Sequence, residues 1–288
     1  MMRVRIGYEF DIRVPRDTPL ILMVTPEKAR HRDFVAPEQL VTDPTVPVRR
    51  FRDRYGNICQ RLVAPAGNFT LGAHATVRDH GEWDEIDPDA REMPIEELPD
   101  EVMTFLAASR YVESDVMAPE AWRLFGDVTP GWSRVQAVLD HGHKVLRFDY
   151  GTASSSRTAL DASKGGTGVC RDFAHLALAY LRGLNIPARY VNGYVGDIGV
   201  PKVDAPMDFA AWIEVWLSDR WWTLDPRNNE RRLGRVVIAR GHDAADVPML
   251  SSFGPHELTR FQVWCHPVDE DGNEIDGMAF GGDQRVRA

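Results

Sequence analysis

From Val4 to Val14 every even position is apolar: Val4, Ile6, Tyr8, Phe10, Ile12 and Val14 alternate with a set that is polar except for Gly7. A period of two over eleven residues predicts a half-buried strand. The same period returns at Phe69, Leu71, Ala73, Ala75 and Val77, with an apolar run from Leu20 to Val24 and a turn sequence, Arg54-Tyr55-Gly56-Asn57, between the two. Residues 1–80 are therefore expected to form a small N-terminal antiparallel β-domain.

Beyond residue 100 the period lengthens. Trp132, Val135, Leu139, Gly142 and Leu146 follow Pro130 at spacings of three and four, which predicts a helix. A loop rich in Ser, Thr and Gly, 151–168, leads into a second helix whose apolar stripe is Val169, Phe173, Leu176, Ala177, Tyr180, Leu181 and Leu184, with Pro187 as its stop. Strands are expected at 188–195, 209–217, 220–224, 235–239 and 261–264. Helices followed by an antiparallel sheet read as an α+β core, and the tail after Gly277 reads as frayed.

The chain has 288 residues and a formal charge of −9. Residues 79–101 carry eleven acids against Arg91 alone, so the remainder is close to neutral. That stretch reads as a solvated acidic linker over 81–101, dividing the N-terminal domain from a core domain over 102–288. A net negative chain without a basic face makes nucleic acid an unsuitable partner, and no apolar run is long enough to span a membrane. A cytoplasmic protein is the expectation. Cys59, Cys170 and Cys265 are too few for a disulfide framework or a four-cysteine zinc site, so any cysteine chemistry must come from single thiols.

One thiol stands out by its place. Cys170 opens the second helix, where unsatisfied backbone N–H groups and the helix dipole favour a thiolate. Downstream, Phe209–Leu217 and Arg220–Asp225 are separated only by Ser218-Asp219. A two-residue hairpin loop there makes facing positions sum to 437, which sets Trp212 opposite Asp225 and position 210 one diagonal away.

These segments carry a resemblance. Gly168-Val169-Cys170-Arg171-Asp172-Phe173-Ala174-His175, Pro187-Ala188-Arg189-Tyr190-Val191, Gly193-Tyr194, Ala211-Trp212-Ile213-Glu214-Val215, Trp222 and Asp225-Pro226 look like the bacterial transglutaminase-like proteins across roughly residues 130–240. The N-terminal segments Phe51–Asn57 and Leu62–Pro65 are similar to the β-domain that precedes the core in such proteins. The resemblance implies a papain-like arrangement with Cys170 as nucleophile and Asp225 as triad carboxylate. The substrate it implies is a peptide or protein with a glutamine-like amide, and it implies no cofactor and no metal.

The pattern departs from the family at one position. Its His-Ala-Trp stands here as Ala210-Ala211-Trp212, so a methyl group replaces the imidazole. Of the nine histidines, His175 is expected to be turned away from the thiol and structural, and His242 could approach through a loop. His141 and His143, two apart on a helix, point to different faces. Asp269–Glu274 reads as a polar turn and Gly165–Gly168 as a loop that lets backbone approach the thiol. The tryptophans of the 212–222 hairpin are expected mainly in the core, with an aromatic wall at the site as the alternative. Two functions stay open: a cysteine-dependent acyl transferase or amide hydrolase slowed by the missing histidine, and an inactive module that binds a peptide or protein.

Overall fold

The computed structural model describes residues 1–36 and 38–280. Six strands come first: β1 (Met2–Val14), β2 (Thr18–Leu22), β3 (Val41–Asp43), β4 (Arg49–Arg52), β5 (Ile58–Ala64) and β6 (Gly67–Asp79). The even residues of β1 from Met2 to Val14 are all buried, as the alternation requires. Gly7 interrupts the polar set because the Trp264 indole lies where a side chain would project. The expected turn at 54–57 joins β4 to β5, with Gly56 at φ +84°.

The helical part contains α1 (Asp100–Met103), α2 (Ser114–Phe125), α3 (Trp132–Val145), the short strand β7 (Arg147–Phe148), α4 (Ala159–Gly165), the short strand β8 (Thr167–Gly168) and α5 (Cys170–Gly183). From Asp172 to Gly183 every residue of α5 is buried, so this helix is enclosed all round, where the sequence stripe implied one solvent face. It packs against α2, α3, α4 and the sheet formed by β9 (Ala188–Tyr194), β10 (Ala210–Leu217), β11 (Arg220–Leu224) and β12 (Val236–Gly241), ordered β11-β10-β9-β12. The β10–β11 register runs from Ile213 opposite Leu224 to Leu217 opposite Arg220, each pair summing to 437 as read from the sequence. Ser218 and Asp219 turn the hairpin with φ of +48° and +62°, both left-handed without a glycine. The fold is α+β with antiparallel sheets, as expected.

Two strands then return to the start of the chain. β13 (Leu250–Ser252) pairs with β2, and β14 (Glu257–Val268) pairs with β1 along nearly its whole length. The sheets are ordered β14-β1-β6-β3 and β13-β2-β5-β4. This pairing differs from the sequence boundaries, which left 250–268 in the core at 102–288; strand pairing across some 250 residues has no local signal. Gly277–Phe280 forms a 3-10 turn, and the rest of the tail expected to fray lies outside the described residues.

The acidic stretch is a packed strap in place of a solvated linker. Trp83 and Ala90 are buried, Trp83 bridges Leu233, and Glu92 pairs with the buried Arg134 at 2.8 Å. Ser218 N–H donates to Arg91 O and Arg91 N–H to Ser218 Oγ, so the strap also grips the strained hairpin turn. Its acids find cationic partners on the core, a match that a local charge count cannot reveal. Between the N-terminal strands and the core, Asn57 bonds the backbone of Arg240, and Arg240 reaches both Glu27 and the buried Glu214. Among the described residues no helix is long and apolar enough to cross a membrane.

Candidate active site

Cys170 is placed by a short chain of local causes. β8 pairs in parallel with β7, setting Phe148 beside Gly168 two residues before the thiol. Val169 then stays extended as the helix cap, and its N–H donates to Asp172 Oδ2 at 2.9 Å. Gly168 is required here because a Cβ would fall 2.7 Å from that of Asp172. The glycine thus makes room for the carboxylate that closes the helix start.

The half-buried thiol opens into a cavity of about 1040 Å³. Walls come from the core through Phe148, Tyr150 and Asn192, and from the N-terminal unit's sheets through Phe10, Leu250 and Phe261. Residues 205–211 border the other side, and the backbone N–H of Ala211 lies near enough to Cys170 to favour its thiolate. Burial pushes the thiol up to about 11; Asp208 and Asp225 act in the same direction, opposed by that N–H and by Arg227. Burial thus acts against the thiolate that the helix end is expected to favour. None of the tryptophans of the 212–222 hairpin lines the cavity, whose aromatic residues are phenylalanines and tyrosines.

Asp225 follows β11 directly and is buried behind the cavity wall. Its carboxylate accepts from Asn228 N–H and Nδ2, both at 2.9 Å, and from Arg235 Nη2 at 2.9 Å. Although burial works to raise it, Arg235 and Asn228 hold the carboxyl below its ordinary range. The Arg235 side chain is only 8% exposed, stacks 4.9 Å from the Trp212 ring centre, and donates through Nε to both oxygens of Asp84 in the strap. Asp84 and Arg235 were not singled out by sequence reasoning. The first sat in a run read as solvated, and the second at the edge of a strand.

Ala210 begins β10 opposite Gly193 and borders the cavity with Cys170. Among the described residues no histidine lines the cavity. His175 is fully buried one layer behind, stacked on Tyr111 at 5.3 Å, with Nε2 accepting from Ala244 N–H; burial holds its pKa well below the usual value. His242 is committed elsewhere: its ring lies within hydrogen-bond distance of Tyr55, Asp246 and Thr104. His141 packs on Phe125 and Tyr180, whereas His143 bonds Arg227 O. Asp269 accepts from the backbone of Asp271 and Asn273, forming the expected polar turn.

Residues 123–226 match the model of the transglutaminase-like superfamily. An uncharacterized protein of Mycobacterium leprae is 29% identical over 249 residues, covering 77% of this chain and 82% of that protein. An uncharacterized protein of Mycobacterium tuberculosis is 40% identical over 128 residues, 40% of this chain and 41% of its own length. The crystal structure of "a Putative Cysteine Protease from Cytophaga hutchinsonii" superposes with a TM-score of 0.82 at 29% identity, covering 96% of this chain and 94% of that one. The sequence match to the transglutaminase-like superfamily is confined to residues 123–226, and the fold of the chain as a whole is similar to that of the Cytophaga hutchinsonii structure.

Proposed function

We propose that the cavity binds a peptide or protein segment and that Cys170 accepts its acyl group, as a slow cysteine-dependent acyl transferase or amide hydrolase. The observation that carries this reading is the thiol at a helix start, opening into a large cavity. In this reading the thiol loses its proton, its sulfur bonds the carbonyl carbon, and the amine leaves with a proton. The resulting thioester passes to an amine or to water. A positioned imidazole supplies on the order of 10²- to 10⁴-fold in such steps, and a methyl group at Ala210 supplies none. Three free cysteines fit a reducing, cytoplasmic setting for this chemistry.

A second reading has its own support. Asp225 is fully engaged by Arg235 and Asn228, so the site is held together without an imidazole. A non-catalytic peptide-binding module needs nothing more. Intact mass after incubation with a p-nitrophenyl ester of an N-acetylated amino acid separates the two. Acyl transfer predicts one acyl adduct at Cys170, slow to form and absent in Cys170→Ala. No adduct, or an adduct that survives Cys170→Ala, overturns acyl transfer and leaves the binding module.

A further inference from the structure

The charged side chains around the cavity are not equally occupied. Arg232 donates to Asp197 at 3.2 Å and to Gly196 O, and Arg171 donates to Ser154 O beside Asp172. Arg227 differs: among the described residues its guanidinium makes no hydrogen bond or ion pair and stacks 3.9 Å from the Phe148 ring centre. Its backbone, by contrast, is fixed. Asp225 holds the next residue through Asn228 N–H, and Arg227 O accepts from His143 Nδ1 at 3.1 Å.

Phe148 is paired with Gly168, two residues before Cys170, so stacking on Phe148 keeps the guanidinium at the wall beside the thiol. An arginine stacked through its face keeps its N–H edge free for a planar anion, and a carboxylate accepts two such bonds. Tyr150 packs on the same Phe148 ring at 4.7 Å, and Leu250 and Phe261 add apolar lining to the cavity. Asp208, the other charged cavity side chain without an ion pair, accepts only from Phe209 N–H and offers an anion no partner.

We infer that Arg227 is a specificity residue that receives the free carboxylate of a peptide C-terminus, with the apolar side chain of that terminal residue against Tyr150, Leu250 and Phe261. This rests on the cavity of the proposed function but not on its chemistry. The test is calorimetric titration of the Cys170→Ala protein with N-acetyl-Leu-Phe as the free acid and as the C-terminal amide. The acid is expected to bind at least tenfold tighter than the amide, by a margin that shrinks with added salt. Arg227→Met should bring the acid to the affinity of the amide, and Arg227→Lys should keep part of the difference, both with unchanged thermal unfolding. Equal binding of acid and amide, no binding of either at millimolar concentration, or a difference untouched by Arg227→Met overturns the inference. Because the assay lacks the thiol, failure of acyl transfer leaves its outcome unaffected.

Discussion

Arg235 Nη2 lies 2.9 Å from Asp225 Oδ2, and the same guanidinium reaches Asp84 through Nε, so one buried cation ties the end of β11 to the acidic strap. A buried pair broken on one side leaves an uncompensated charge, at a cost of about 3–5 kcal/mol. Arg235→Met strands two carboxylates and should lower unfolding free energy by about that amount in urea titration. Asp225→Asn should cost less, because Asp84 still balances Arg235.

With its thiol pushed up to about 11, Cys170 holds only about one part in 10⁴ as thiolate at pH 7. Iodoacetamide labelling of Cys170, followed by peptide mass spectrometry, should therefore be slow at neutral pH and rise about tenfold per pH unit until near 11. Fast labelling at pH 7 contradicts the desolvated thiol. Cys59 and Cys265, both buried and raised to about 11 and about 12, serve as internal comparisons.

Ala210→His returns an imidazole to the strand position beside the thiol. If acyl transfer is the function, the thioester should form faster by about 10²-fold. The gain belongs to the low end of the range because Arg235 already occupies Asp225. Unchanged rates would show that strand position alone does not place the ring.

His175 gives a pH dependence with a definite sign. Burial lowers its folded pKa well below 6.5, so below pH 6.5 the unfolded chain takes up a proton that the folded chain refuses. Its contribution to stability is complete above 6.5 and falls by up to about 1.4 kcal/mol per pH unit below it. His175→Gln should flatten the fall in unfolding free energy between pH 6.5 and 5.

At the β10–β11 turn, Asp219 holds φ of +62°. A left-handed non-glycine costs of order 1 kcal/mol, so Asp219→Gly should raise stability by about 0.5–1 kcal/mol. Calorimetric melting temperature reads the change.

Legibility followed locality. The alternation in β1 and β6, the helix beginning at Cys170 and the 437 register are written in adjacent residues, and each is found as read. Helices α2 and α4 escaped notice, and so did the pairing of β14 with β1. The site divided in the same way: Cys170 and Asp225 carry a local pattern, whereas the pairing of Asp84 with Arg235 and the stacking of Arg227 on Phe148 depend on chain crossings. Burial around Cys170 likewise comes from several distant segments, which the residues flanking the thiol do not encode.

The pairing of β1 with β14 also bears on how the chain folds during synthesis. Residues Arg3–Arg13 leave the ribosome some 250 residues ahead of their partners at Glu257–Val268. Until then β1 is covered on one side by β6 and presents an open edge on the other. Slow, late-closing topology of this kind exposes a nascent chain to aggregation. Truncation before residue 257 should fix that edge permanently open.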